Sequence, residues 1–247
     1  MAGSAAAHEP TPLTEATRST TAGQATAQAL LLDTAPVPMA ARYAVSVTLP
    51  RPAGGRPAAP QRHQWYFFRD AERIALLKGN IDEAWHRDAA GRLSFERVFH
   101  EENRAVDYSA GELATLGVQA DWRALSSFID GRELKALKIV SRTGRGTEER
   151  IRLTGTQAGQ SLSVDWLPAL QLPARVVRQS QDGRSTRIEL EQHAMPAPAG
   201  WPVPGARASG YLRLDAADFG DMGYEPVVKK SEALDVRGGW RSAHAHD

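Results

Sequence analysis

Apolar side chains recur at every second position from Arg42 onward, and this alternation restricts the folds open to the chain. In the first such segment, Tyr43, Val45 and Val47 alternate with small or polar residues, which is the period of a β-strand with one buried face. Similar short segments follow, separated by turn-forming pairs such as Gly79-Asn80. The pattern predicts a mainly β (α+β) fold with about ten antiparallel strands.

The strands are placed by this alternation and by the turn residues between segments. Residues Tyr211–Leu214 could form one further strand, the last in the chain. The predicted strands are Arg42–Leu49, His63–Phe68, Arg73–Leu77, Asp82–Arg87, Arg92–Phe99, Arg104–Tyr108, Glu133–Ser141, Glu149–Thr154, Leu162–Trp166, Leu172–Gln179 and Ser185–Gln192.

One helical interruption is expected after the sixth strand. Ser109 with Glu112 three residues later has the spacing of a capping box. Ala120–Ile129 then places Leu125 and Phe128 on one helical face. A short terminal helix is predicted within 226–234.

Composition divides the chain into four parts. Residues 1–40 are rich in Ala, Thr and Pro without apolar periodicity, so we expect a disordered leader, with a short helix in 21–32 as the alternative. Residues 41–195 form the antiparallel β domain. A proline-rich connection then begins a C-terminal extension, 196–236, packed on the domain, and 237–247 is expected to be a flexible tail.

Charge and cysteine content exclude several classes of function. Thirty Lys and Arg oppose 29 Asp and Glu, so no strong net field exists to attract nucleic acid, and no nucleic-acid partner is predicted. The absence of cysteine removes thiol nucleophiles, disulfides and thiolate metal sites. It fits a reducing or an oxidising compartment equally.

The cellular compartment of the protein depends on whether the chain is exported, and the sequence does not decide this. No apolar run has the length that a transmembrane helix needs, and no transmembrane segment is predicted. The protein is expected to be periplasmic if a signal segment is missing or removed, and otherwise cytoplasmic.

Polar residues suggest few sites. His244 and His246 could share a metal ion, but a solvated tail is the simpler interpretation. Asp215, Asp218 and Asp221 with nearby Glu225 resemble a cation cluster, yet their spacing does not match a calcium loop. No nucleophile elbow, phosphate-binding loop or dinucleotide fingerprint occurs. We therefore predict no catalytic residues, no metal site and no cofactor.

Aromatic residues are the most informative group. Trp65, Tyr66, Phe67 and Phe68 stand in succession, so large aromatic side chains occupy both faces of one strand. A sheet with apolar groups on both faces must cover the second with helices, another sheet or a ligand. Core filling and a ligand-binding concavity both remain open.

Two segments resemble a known family. Glu83-Ala-Trp85-His-Arg-Asp-Ala-Ala-Gly91, and after the helical interruption Val164-Asp-Trp166-Leu-Pro168-Ala-Leu-Gln-Leu-Pro173, look like the strand order of the outer-membrane lipoprotein carriers. The resemblance covers about residues 42–192. It implies a single antiparallel curved sheet or half-barrel with a helical cover, whose concave face takes up acyl chains.

Three functional hypotheses follow. The first is a noncatalytic carrier for an acyl or lipid-like ligand, or for a lipidated protein, in the bacterial envelope. The second is a protein-protein interaction or assembly factor with a filled core. The third is an enzyme, which clustering of His86 or His100 with Asp107 would favour. For the first, the predicted ligand-binding residues are Trp65, Phe67, Trp85, Phe95 and Trp166.

Overall fold

A computed structural model describes residues 35–51, 55 and 58–241, and over these residues the strands form one twelve-stranded sheet. The sheet is curved and does not close. Its strands are β1 (Met39–Thr48), β2 (Gln61–Arg69), β3 (Arg73–Leu77), β4 (Ile81–Arg87), β5 (Leu93–Phe99), β6 (Arg104–Tyr108), β7 (Lys138–Thr143), β8 (Arg150–Gln157), β9 (Gln160–Leu167), β10 (Leu172–Ser180), β11 (Ser185–Ala194) and β12 (Leu212–Asp215).

The first strand lies at the centre of the sheet. The spatial order is β12-β6-β5-β4-β3-β2-β1-β11-β10-β9-β8-β7. Strands β2 to β6 therefore run outward from β1 as one meander, and β7 to β11 return to its other edge as a second. The connection between the meanders, residues 109–137, has to cross the sheet from one side to the other.

Four α-helices accompany the sheet in the described part of the chain. Three lie in the crossing connection: α1 (Ala110–Thr115), α2 (Trp122–Ser126) and α3 (Gly131–Ala136). The fourth, α4 (Pro226–Gly238), is near the end of the chain. Short 3₁₀ turns occur at 146–148, 206–208 and 216–220.

The two faces of the sheet are covered differently. The inner face, which carries Tyr43, Phe67 and Trp166, packs against residues of α2, α3 and their connection. The part of the inner face formed by β5, β6 and β12 packs against α4. The outer face carries Tyr66 and Phe68, and there Trp201 packs edge-on against both rings. We call residues 195–211, which include Trp201, the strap.

The predicted strands are recovered closely, but their number and one pairing differ. The sheet has twelve strands, not about ten. β12 pairs with β6 in parallel, so the expectation of a purely antiparallel sheet was wrong. The C-terminal extension reaches β6 by a long path along the outer face, and a parallel approach becomes possible over such a path.

Two local boundaries were also wrong. The predicted strand Glu133–Ser141 begins as helix α3, because the Asp130 side chain caps that helix by accepting from the Arg132 amide at 2.8 Å. The predicted helix Ala120–Ile129 ends at Ser126. The capping box of Ser109 and Glu112 is confirmed.

The domain division stays a prediction. Of the predicted leader 1–40, only 35–40 lie within the described residues, and Met39 and Ala40 already belong to β1. Of the predicted tail 237–247, residues 237–241 are described. Arg237 and Gly238 complete α4, whereas His244 and His246 lie outside the described residues.

Gly155 in β8 allows helix α3 to approach the sheet. A Cβ atom at this position would lie 2.3 Å from the Ala136 carbonyl oxygen, so the backbone would have to move. We predict that Gly155→Ala lowers the free energy of unfolding by about 1–3 kcal/mol, measured by urea denaturation. Gly210→Ala, where a Cβ meets no atom within 4 Å, is the control and should change it by less than about 0.5 kcal/mol.

Candidate functional site

The five predicted ligand-binding residues all lie on the inner face. Strand alternation places them there, and β4 and β5 pair Trp85 directly with Phe95. Phe67, Phe95 and Trp166 are buried, whereas Trp65 and Trp85 are half-buried. Trp85 packs against both apolar clusters of this face. The structure thus brings the five residues onto one apolar surface across both halves of the sheet.

Phe128 covers the centre of that surface. Its ring stacks on Tyr43, with centroids 4.5 Å apart and planes 4° from parallel, and meets Phe67 edge-on at 5.2 Å. Its backbone is in the left-handed region, with φ of 64°, which is unfavourable for a bulky side chain. Phe128 itself is only half-buried, so it closes the surface at a point that solvent reaches.

Trp240 covers the other half of the inner face. Its ring lies 4.9 Å from Phe95, 5.7 Å from Trp85 and 5.8 Å from Tyr108. Sequence reasoning missed both Phe128 and Trp240 as parts of the site. Trp240 follows Gly238-Gly239 in a segment without apolar periodicity, and the left-handed backbone of Phe128 leaves no trace in the sequence.

A buried ion pair attaches helix α4 beneath Trp240. Arg97 Nη1 donates to Asp235 Oδ1 at 2.9 Å, and the Tyr108 hydroxyl lies 3.2 Å from the same carboxylate. Arg97 and Asp235 are buried. Burial alone would lower the pKa of Arg97, but the neighbouring Glu83 and Asp235 outweigh it and raise that pKa. This half of the cover is therefore held by charge as well as by packing.

The other half of the cover is held by Arg69, which has no carboxylate partner among the described residues. Its Nη1 atom donates to the carbonyls of Ser126 at 2.6 Å and Gln171 at 2.7 Å. Nη2 donates to Leu170 at 2.7 Å and Nε to Val37 at 2.8 Å. Burial lowers the pKa of Arg69 to about 10, so the guanidinium is still charged at neutral pH.

Replacing Arg69 should loosen the cover. Four carbonyl contacts are lost in Arg69→Met, and Arg69→Lys cannot reproduce the planar fork of donors. We predict that both variants lower the free energy of unfolding by about 3 kcal/mol or more in urea denaturation. Arg62→Met, at an exposed position of the same strand, should have almost no effect. Wild-type stability of Arg69→Lys would contradict the role given to the fork.

Glu83, which pairs with Arg97, makes the stability of the Arg97–Asp235 network depend on pH. Burial would raise the pKa of Glu83, but Lys78 and Arg97 outweigh it and hold that pKa below its ordinary value. A carboxylate with a lowered folded pKa stabilises above its unfolded pKa, and this stabilisation is lost as pH falls through the folded value. We predict that Glu83→Gln destabilises at pH 7 and has a smaller effect at about pH 3. Equal effects in denaturant titrations at the two pH values would contradict this.

The structure does not assemble the histidine site that would favour an enzyme. His100 Nε2 lies 2.8 Å from Asp82, and its Nδ1 lies 3.2 Å from the Tyr211 hydroxyl. His86 faces Glu96 at 3.5 Å, while Asp107 pairs with Arg213. Neither histidine contacts Asp107 directly. Arg213, which donates to both Glu96 and Asp107, lies between Asp107 and the His86–Glu96 pair.

The acidic C-terminal segment is used for helix and turn formation. Asp215 accepts from the Ala217 amide at 3.1 Å and begins the 3₁₀ turn 216–220.

Over the described ranges, no group of three or more His, Asp or Glu residues is placed to hold a metal ion. None of the helices in the described part of the chain has the length and apolar character that crossing a membrane requires.

Comparison with known proteins gives a weak likeness of fold. No family model matches the chain. No curated protein matches it either. PNGF-II aligns with a TM-score of 0.39 and 13% identity, covering 75% of this chain and 33% of PNGF-II.

Two further solved structures align more loosely. MucB aligns with a TM-score of 0.36 and 15% identity over 72% of this chain and 60% of MucB. A putative outer membrane lipoprotein-sorting protein domain from Vibrio parahaemolyticus aligns with a TM-score of 0.31 and 7% identity, over 68% and 88% of the two chains. The chain thus spans about a third of PNGF-II and less than two thirds of MucB. No residue role or partner carries over at these TM-scores.

Proposed function

We propose that this chain is a noncatalytic binding protein of the bacterial envelope that holds an apolar ligand, acyl or lipid-like, against the inner face of its sheet. The acyl group of a lipidated protein is included in this class. The observation that carries the proposal is the half-buried Phe128 ring, which occupies the centre of a continuous apolar surface from an unfavourable backbone conformation. An acyl chain would take the place of that ring.

The two halves of the cover differ in how firmly they are held. Helices α2 and α3 have five and six residues, too few to be stable without the contacts they make with the sheet. Helix α4 has thirteen residues and the buried Arg97–Asp235 pair. Opening is therefore expected at residues 122–136, with Ser126 held by Arg69 on one side of Phe128.

The free energies favour exchange of the ring for a chain. Burying about ten methylenes yields on the order of 8 kcal/mol before ordering costs. Removing one half-buried Phe ring from the sheet costs about 1–3 kcal/mol. Relief of the left-handed backbone at Phe128 adds to the difference. A ligand so placed would contact Trp65, Phe67 and Trp166, with Trp85 at the border between the two halves. Contact with Phe95 further requires Trp240 to leave that ring.

Substitution of Phe128 tests the proposal. Phe128→Gly removes the ring and accepts the positive φ at no cost. We predict that it binds monopalmitin, a neutral acyl probe, roughly tenfold more tightly than the wild type, as measured by native mass spectrometry. Trp201→Ala, which removes an aromatic ring from the outer face instead, is the matched control and should leave this affinity unchanged.

The position of the probe is tested separately. A monoacylglycerol with a photoreactive group in its chain should label β1, β2 and β9 to β11, and peptide mapping would identify the labelled strands. Labelling confined to the strap would overturn the assignment to the inner face. An absence of added mass on both the wild type and Phe128→Gly would overturn the proposed function.

A second candidate is the interaction or assembly factor with a filled core. The packing of Trp240 and α4 over the β4–β6 part of the inner face favours it, because that part is closed by the chain itself. The same experiment separates the two candidates. A clean apo mass for both proteins would favour the partner-binding function.

A further inference from the structure

A second cavity lies on the outer face, away from Phe128. It has a volume of about 140 Å³ and lies between strands β2 to β5 and the strap. A water needs roughly 10–15 Å³ in such a measure, so the cavity has room for a small organic molecule of about eight non-hydrogen atoms. Val203 of the strap lines it and is 67% exposed, which leaves the cavity open to solvent on that side.

Two alanines create the space. Ala75 in β3 and Ala84 in β4 are direct cross-strand partners, and both are buried. Larger residues adjoin this pair, with Leu77 on one side and Val98 on the neighbouring strand. We call the part of the sheet surface around Ala75 and Ala84 the floor of the cavity. The methyl groups of these two alanines leave a gap beneath the strap that a pair of larger side chains would fill.

The carboxylates at the cavity are already occupied. Asp82 accepts from His100 at 2.8 Å and from the Lys78 amide at 3.0 Å. Glu96 accepts from Arg213 at 3.1 Å and faces His86 on its other oxygen. Glu83, the third carboxylate at the cavity, pairs with Lys78 and Arg97. The negative charge of all three groups is therefore met by protein partners, and none has a strong need for a cationic ligand.

The arginines at the cavity are not neutralised in this way. Neither Arg73 nor Arg207 has an ion-pair partner among the described residues. Arg73 donates from Nη1 to the Pro204 carbonyl at 3.1 Å, and its buried Nε has no hydrogen-bond partner there. Arg207 makes one long contact, 3.4 Å, to the Gly79 carbonyl. Arg73 and Arg207 therefore have N–H groups that could donate to a ligand in the cavity, whose floor is apolar.

Gly205 positions the strap over Arg73. Its φ is 79°, and a Cβ atom there would lie 3.1 Å from Arg73 Nη2. The absence of a side chain therefore lets the strap backbone approach the guanidinium, which keeps Arg73 at the wall of the cavity. The charge is presented in a fixed position rather than on a freely moving side chain.

We infer that this outer-face cavity binds a small carboxylate with a short apolar body, the carboxylate meeting Arg73 and Arg207 and the body lying on Ala75 and Ala84. A planar guanidinium binds a carboxylate through paired, charge-assisted hydrogen bonds. The apolar body would displace water from the alanine floor and from Val203. The site is independent of the inner face and of the proposed acyl binding.

Calorimetric titration with hexanoate tests the inference, with hexan-1-ol and hexylamine as probes of equal chain length. Hexanoate should bind to the wild type at least about tenfold more tightly than either. Arg73→Met keeps the stem of the side chain but removes the charge, and Ala84→Leu fills the floor without altering any charge. Each variant should weaken hexanoate binding about tenfold or more.

Arg62→Met serves as the control, because it removes an exposed charge from a residue that does not line the cavity and should leave hexanoate binding unchanged. Chemical shift changes of the Ala75 and Ala84 methyl groups on titration would place the ligand on the floor. Equal binding of the three probes, unchanged binding in Ala84→Leu, or no binding of hexanoate at millimolar concentration would each overturn the inference. None of these results bears on monopalmitin, so the two proposals fail separately.

Discussion

The buried guanidinium of Arg69 ties three separate segments of the chain to the end of one strand. It stands at the end of β2 and donates to the segment before β1, to the end of α2 and to the connection between β9 and β10. A charge in such surroundings is tolerated only when each donor finds an acceptor. The four carbonyls must therefore converge at one point. Both the centre of the sheet and the start of the Phe128 segment are fixed by that condition.

The order of the strands explains why the inner face is covered by the chain itself. Because β1 is central and each meander ends at an outer edge, residues 109–137 must pass over a face of the sheet. Short helices satisfy the backbone hydrogen bonds of this passage without adding strands. The result is a cover made of small pieces on one half and of a single longer helix on the other. The half that is covered by the short helices is therefore expected to open more easily than the half that is covered by α4.

Sequence alternation placed most of the strands, because most have one buried face and the turns between them use characteristic residues. It failed at β7, which is largely exposed and follows helix α3. It put Trp65 and Phe67 on one face of their strand, but only the pairing of the strands shows that Trp85, Phe95 and Trp166 share that face. Alternation carries no information about what covers that face. The cover depends on Phe128, whose backbone is fixed by tertiary contacts, and on Trp240, which is distant in sequence.

Polar pairing was less predictable than the strands. His100 meets Asp82 because β4 and β5 are neighbours in the sheet, and several carboxylates would have satisfied the same histidine. The outer cavity depends on a strap that returns to β3 after more than one hundred residues. Ala75 and Ala84 stand in predicted strands, but small residues in a strand do not by themselves indicate a cavity.

The central position of β1 also has a consequence for how the chain folds. Its partner on one side, β2, follows within a few tens of residues, whereas β11 on the other side begins only at Ser185. During synthesis the first meander can pair while one edge of β1 stays open until the second meander emerges. That edge is an unpaired strand in the interior of the future sheet. Assembly of the protein is therefore expected to include a stage at which this edge needs protection from other chains.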